Sequence, residues 1–253
     1  MYVLEEAVRL ISQSPGNIVY FLVTLFALQQ AFVSALSARR AAPDLMVNRR
    51  WLWSAGAMVV TRLLLIAVGL LGVAGLIVPS NFMPPLERWI LVATALLIAW
   101  AGLYSYQPRG WQTSVLLLLL GLSAIVYGVG VAVRATAGSE LPAFLDLYVL
   151  EQVSVLVAFV LLLVLAAAIR SPHWEWIAGV ALFWALGTVA QLVWVDPTSP
   201  VDGWHRLASL VALPLLSILV HRQVMTAPAP APPKDWLPDA VSLTEMVQAI
   251  GGA

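Results

Sequence analysis

The alternation of apolar and polar positions divides the chain into seven long apolar stretches: about 17–37, 52–78, 86–106, 112–133, 145–169, 175–195 and 204–221. Each is long enough to cross a bilayer as a helix, which takes roughly 20 mainly apolar residues. The breaks between them carry turn chemistry: "RRAAPDLMVNRR", "PSNFMPP", "YQPRGW", "ATAGSELP", "RSPHW" and "DPTSPVDG". The pattern predicts an all-α, polytopic membrane protein, a bundle of seven transmembrane helices over 17–222. Pro214 falls inside the seventh stretch; it removes a backbone donor and frees the Leu210 carbonyl, so a kink is expected there. Gly69, Gly72, Gly75, Gly121 and Gly128 are expected to let helix backbones approach closely.

The flanks read differently. Residues 1–16 begin "MYVLEEAVRL", acidic where a secretory signal would be basic. They are expected to form a short helix on the outer surface. Residues 223–240 contain "TAPAPAPPK", whose alternating prolines favour an extended polyproline spacer. In 241–253, Ser242 and Glu245 have the spacing of a capping box, and Leu243, Met246, Val247 and Ile250 make one apolar stripe. This reads as the first helix of a cytoplasmic domain that continues beyond the segment.

Composition agrees with a bilayer setting. Apolar residues make up 61% of the 253 and charged residues 10%, against about a quarter charged in an ordinary soluble domain. The net charge of zero gives no reason to expect nucleic acid. Charge placement predicts orientation, because Lys and Arg favour cytoplasmic loops. With the N-terminus outside, the inner segments hold Arg39, Arg40, Arg49, Arg50, Arg109, Arg170, Arg222 and Lys234. The outer segments hold Arg9, Arg88, Arg134 and Arg206. The expectation is therefore N-out, C-in. Trp51, Trp53, Trp89, Tyr106, Trp111, Trp174, Trp176 and Trp204 lie near span ends and read as interface anchors.

Several chemistries find no footing. There is no cysteine for a thiolate site or thiol nucleophile. The sole lysine, Lys234, lies in the tail, so no span offers a Schiff base for retinal. His173, His205 and His221 all sit at span ends and read as solvated side chains, with haem ligation by His173 and His221, both on the inner side, as the alternative. No Gly-x-Ser-x-Gly setting, phosphate-binding glycine loop or metal-ligand cluster occurs. The expectation is a segment without enzymatic activity of its own and without a cofactor.

Polar residues inside the spans are the remaining candidates. Arg62 lies eleven residues after Trp51, about 16 Å along a helix, where an arginine costs about 2.5–3.5 kcal/mol on insertion scales. Glu151 is its expected counter-charge, with Gln30 and Gln191 as uncharged alternatives. Trp184, Thr188 and Gln191 share one helical face, and so do Phe144, Tyr148 and Glu151, with Ser154 following. Together with Glu87, Arg88 and Trp89 from the third span and Trp204, His205 and Arg206 from the seventh, they are read as an outward-facing vestibule able to take a small molecule. A solvated rim of ion pairs is the competing reading.

Seven spans, "PPLERWILVATALLIAWA" in the third, and the tail "SLTEMVQAIGGA" together resemble the seven-transmembrane N-terminal region of bacterial membrane histidine kinases. In those proteins a GAF or PAS domain and then a kinase follow, and "SLTEMVQAIGGA" is similar to the opening helix of a GAF domain. The resemblance implies a sensory input module of a two-component system in a bacterial inner membrane. Its stimulus would be a small molecule or a physical change, its output a covalently linked cytoplasmic domain carrying any kinase activity, and its assembly a homodimer. A small-solute transporter and a structural membrane subunit without ligand are the alternatives.

Overall fold

The computed structural model describes residues 2–12, 16–106, 109–137, 141–194 and 202–226. The linker and capping-box helix expected over 223–253 therefore lie almost wholly outside the described residues. So do the lone lysine and most of the "DPTSPVDG" break.

Eight α-helices form among the described residues. They are α1 (Tyr2–Ser12), α2 (Gly16–Ala41), α3 (Met46–Val73), α4 (Pro79–Ile98), α5 (Trp111–Ala137), α6 (Leu141–Ile169), α7 (Trp174–Trp194) and α8 (Gly203–Met225). A π-helical turn, Ala99–Leu103, and a short 3-10 turn, Tyr104–Tyr106, extend α4. Seven of the helices, α2 to α8, are long and apolar enough to span a bilayer. The protein is thus an all-α, multi-pass membrane protein with seven spans.

Short connections turn each helix back on the one before. Helices α2, α3, α4, α6, α7 and α8 form a ring in which each packs on the next and α8 closes against α2; α5 packs outside α4, and α1 lies across α2 and α8. The helix α4 is the most buried of the spans. Of its best membrane-spanning window 72% is buried, against 17% for α3 and α5. Large apolar side chains such as Leu117, Leu118 and Ile125 on α5 point outward. In water that surface would be costly, but lipid tails are as apolar as leucine and carry no such penalty. The end of the bundle where the chain enters α2 is called the N-side below, and the end where α8 finishes is the C-side.

Three boundaries differ from the apolar pattern. Helix α3 begins six residues before the expected 52, because "MVNRR" is helical and Arg50 has buried acceptors to meet. It ends at Val73, not 78, where Gly75 takes a positive φ of 71° that favours glycine. "PSNFMPP" is not a break: α4 starts at Pro79 and continues through Pro84 and Pro85. Pro79 suits the first turn, whose N–H groups have no helical acceptor, and the two later prolines fall within the second turn.

Close approach is decided by small residues at positions other than the glycines singled out above. A Cβ on Gly187 would stand 2.6 Å from the Ala208 Cβ, which sets the contact of α7 with α8. A Cβ on Gly102, in the π turn, would stand 2.8 Å from Ile177 Cδ1. By contrast Gly121 and Gly128 on α5 face open space.

Candidate functional site

The N-side half of the bundle is held by buried charge. Arg88, in the third turn of α4 just past its prolines, is 2% exposed and is the hub. Its Nε and Nη2 donate to Asp202 Oδ2 and Oδ1 at 2.8 and 2.9 Å, a two-pronged contact. Its Nη1 donates to Glu151 Oε2 at 2.5 Å. Arg134, in the last turn of α5, donates to the same Glu151 oxygen at 2.8 Å. Asp202, the residue just before α8, also accepts from Gln152 and Gln191 at 3.2 and 3.3 Å, and its Oδ2 is 3.8 Å from His205 Nδ1. Tyr148 lies under the Arg88 guanidinium, 4.6 Å from centre to ring. One arginine therefore joins α4, α6 and α8, and Arg134 adds α5.

A second pair extends the cluster. Arg206 donates to Glu87 Oε1 at 2.6 and 3.2 Å and stacks over the rings of Tyr20 and Phe21 on α2. Among the described buried residues of this half, Arg88, Arg134 and Arg206 thus meet Glu87, Glu151 and Asp202 in ion pairs. Burial alone would raise the Asp202 carboxyl. The Arg88 guanidinium and His205 outweigh it and hold the group below the usual carboxylate range.

The expected pairing of Arg62 with Glu151 does not form. Glu151 is taken by Arg88 and Arg134, and Arg62 donates instead to the Tyr20 hydroxyl at 3.0 Å. The reason is position: Arg88 approaches Glu151 from α4, which packs on α6, whereas Arg62 faces α2. His205 is not solvated; it is buried and shares a 3.1 Å hydrogen bond with Thr188. The stripe on α7 is intact. Trp184 donates to Ser209 at 3.0 Å and stacks on Phe159, and the Gln191 side chain accepts from the Trp204 backbone N–H. On α6, Ser154 turns to its own backbone at Leu150, and Gln152 joins Tyr148 and Glu151 in its place. Trp89 and Trp204 are half-buried, Trp89 donating to Ser123 and Trp204 packing on Trp194. Glu87, Arg88, Tyr148, Glu151, Gln191, His205 and Arg206 thus converge, as buried ion pairs and hydrogen bonds.

The residues missing from the sequence reading are Asp202, Arg134, Gln152 and Tyr20. Arg134 was counted as a loop charge that sets orientation, and Asp202 fell within the "DPTSPVDG" break. The signal for Asp202 was its place directly before the apolar run "GWHRLASLV", where it stays within reach of the bundle. Among the described residues, no group of three or more His, Asp or Glu side chains converges as metal ligands would.

The C-side is held without ion pairs among the described residues. Gln223, in the last turn of α8, accepts from the Trp51 indole at 2.7 Å and donates to the Pro172 and Gly102 carbonyls at 2.9 and 3.4 Å. Trp51 is fully buried and is no interface anchor. Ser171 donates to the same Gly102 carbonyl at 3.2 Å. Arg50 donates to the Trp100 carbonyl and to Gln112 Oε1. The Trp100 and Gly102 carbonyls belong to the π turn, where the i→i−4 ladder is interrupted and side chains can take acceptors.

No protein-family model matches the chain, and no curated protein or solved structure matches it.

Proposed function

We propose that the chain is the membrane-embedded input module of a signalling protein, passing a stimulus from the N-side or from within the membrane to a C-side output. The supporting observation is the placement of α8. Its first residues, with Asp202 just before them, engage the charged cluster on α4, α6 and α2. Its last turn holds Trp51 of α3 and the π turn through Gln223. About 30 Å of continuous helix separates the two contacts, at 1.5 Å per residue. Pro214, half-buried within that helix, is the place where its halves can tilt separately. A stimulus shifts such an equilibrium only by favouring one arrangement over another.

The reading requires the C-side to be cytoplasmic. The absence of cysteine makes the test clean. Asp44→Cys and Thr198→Cys, each expressed alone in intact cells, are treated with a membrane-impermeant maleimide. Thr198→Cys is expected to label and Asp44→Cys to label only after permeabilisation. The reverse pattern would remove the input-module reading.

A further inference from the structure

Exposed arginines without a carboxylate partner gather at the C-side. Arg40, Arg49, Arg109, Arg170 and Arg222 are exposed and Arg39 is half-buried, and none of the six makes an ion pair with a described residue. Among the described residues the acids at this end are Asp44 and Glu175, both exposed and likewise without an ion pair, so the C-side rim is positive. The N-side differs. Its exposed Arg9 is closed on Glu6, and Arg88, Arg134 and Arg206 are buried against carboxylates.

These cations share one level. Arg39 and Arg40 stand in the last turn of α2 and Arg222 in the last turn of α8. Arg170 directly follows α6, Arg49 lies in the first turn of α3, and Arg109 shortly precedes α5. Each is thus within about a turn of the end of a span, where the hydrocarbon gives way to the phosphate layer. One of them has a set orientation. The Arg222 guanidinium lies 4.9 Å over the ring of Trp176, a half-buried indole in the first turn of α7. Stacking uses the face of the guanidinium and leaves its edge donors for a phosphate, which they match in pairs. This end of α8 is fixed to the α6–α7 turn: His173 Nε2 shares a 3.0 Å hydrogen bond with Thr226, and Gln223 donates to the Pro172 carbonyl. On that turn Arg170 spends only its Nε, on the Ala167 carbonyl.

We propose that the C-side rim docks anionic phospholipid, with phosphates on the α6–α7 turn and the end of α8, at Arg170 and Arg222, and along the arginines of α2, α3 and the start of α5. Charge complementarity selects an anion, since each cation near an anionic leaflet adds to the attraction. The layout selects a lipid over an acidic protein segment. The charges follow the ends of five helices around the bundle at one level, which is the shape of a leaflet rather than of a single patch. The indole of Trp176 fits the same occupant, because its apolar body suits the layer just beneath the phosphates. The inference stands apart from the signalling reading: it is read by lipid binding alone and needs no assignment of the C-side to either face of the membrane.

The test uses the intact chain in a neutral detergent, titrated with dioleoyl phosphatidylglycerol or with dioleoyl phosphatidylcholine, whose net charge is zero. Bound lipid is counted by native mass spectrometry. Phosphatidylglycerol is expected to bind about tenfold tighter or more, as two arginines at about fivefold each allow. The preference should shrink as ammonium acetate is raised from about 0.1 to about 0.5 M, which shortens the screening length. Arg170→Gln with Arg222→Gln should remove most of it, and Arg9→Gln, at the opposite end, should leave it unchanged. Equal binding of the two lipids, a preference indifferent to salt, or one that survives Arg170→Gln with Arg222→Gln would overturn the inference. Displacement of phosphatidylglycerol by about millimolar glycerol 3-phosphate or polyglutamate would assign the rim to a soluble phosphate or an acidic chain and overturn it too. Should the double variant fail to fold, the salt series and the two lipids on the unaltered chain decide.

Discussion

The two ends of the bundle solve one problem by different means. Both must hold helices together where lipid gives no hydrophobic drive between them. The N-side uses buried ions: Arg88 shared between Asp202 and Glu151, with Arg134 and Arg206 beside it. The C-side uses neutral acceptors: the Trp100 and Gly102 carbonyls of the π turn and the Pro172 carbonyl, met by Arg50, Ser171 and Gln223, with Gln223 also accepting from Trp51. An ionic cluster is strong when complete and fragile when one member is lost, since the survivor is a stranded charge. A cluster built on neutral acceptors loses one hydrogen bond at a time. The N-side is therefore the end at which a small chemical change has a large conformational effect.

The largest expected effect follows from that asymmetry. Asp202→Ala leaves two arms of the Arg88 guanidinium unpaired and should cost about 3–5 kcal/mol, read as a fall in thermal stability in detergent. The double change Arg88→Met with Asp202→Leu leaves Glu151 to Arg134 and should cost less than Asp202→Ala alone. A double change more damaging than the single one would mean that the cluster is not the ionic hub described here.

Gln223→Ala, at the other end, should cost about 1–3 kcal/mol, because the buried Trp51 indole N–H loses its acceptor while the π turn keeps Ser171 and Arg50. If Gln223→Ala proves as destabilising as Asp202→Ala, the contrast between the ends fails.

A third comparison separates Arg62 from the hub. Tyr20→Phe removes the hydroxyl that Arg62 uses and should cost about 1.5 kcal/mol. In a double-mutant cycle Arg62→Ala and Glu151→Ala should be additive within about 0.5 kcal/mol, since they share no partner. A larger coupling would restore the direct pairing that the charges alone suggest.

These residues show what the sequence could and could not tell. Hydropathy alone located all seven spans, because a span's length and apolarity are local properties. Partner choice is not local. Arg62 and Glu151 are both intramembrane ions of opposite sign, yet only the packing of α4 on α6 brings Arg88 to Glu151 first. Asp202 reads as a loop acid until α8 is placed beside α4 and α6. The π turn was invisible for a similar reason: "AWAGL" is an apolar run like its neighbours, and its shape follows from Gly102 lying against Ile177 and Trp51.

The smallest effect concerns pH. Asp202 is depressed in the folded protein, so its contribution is fully present above its ordinary unfolded value of about 3.9 and is lost as pH falls below that. Between pH 7 and 5 it should add no pH dependence to stability. Between pH 5 and 3 the native chain should lose more stability than Asp202→Asn, which carries every other carboxylate unchanged. Equal losses would mean that Asp202 is not held ionised by Arg88.

The central claim is that α8 joins the two ends, and one distance measures it. Spin labels on Asp44→Cys and Met225→Cys, both exposed at the C-side, report how the end of α8 sits against the α2–α3 turn. Double electron–electron resonance is recorded in nanodiscs with and without Asp202→Asn, a change about 30 Å away along the helix. The account predicts that the C-side distance distribution shifts or broadens by a few ångström when the N-side cluster is broken. An unchanged distribution, alongside the expected fall in thermal stability, would show that the ends are independent and that α8 transmits nothing.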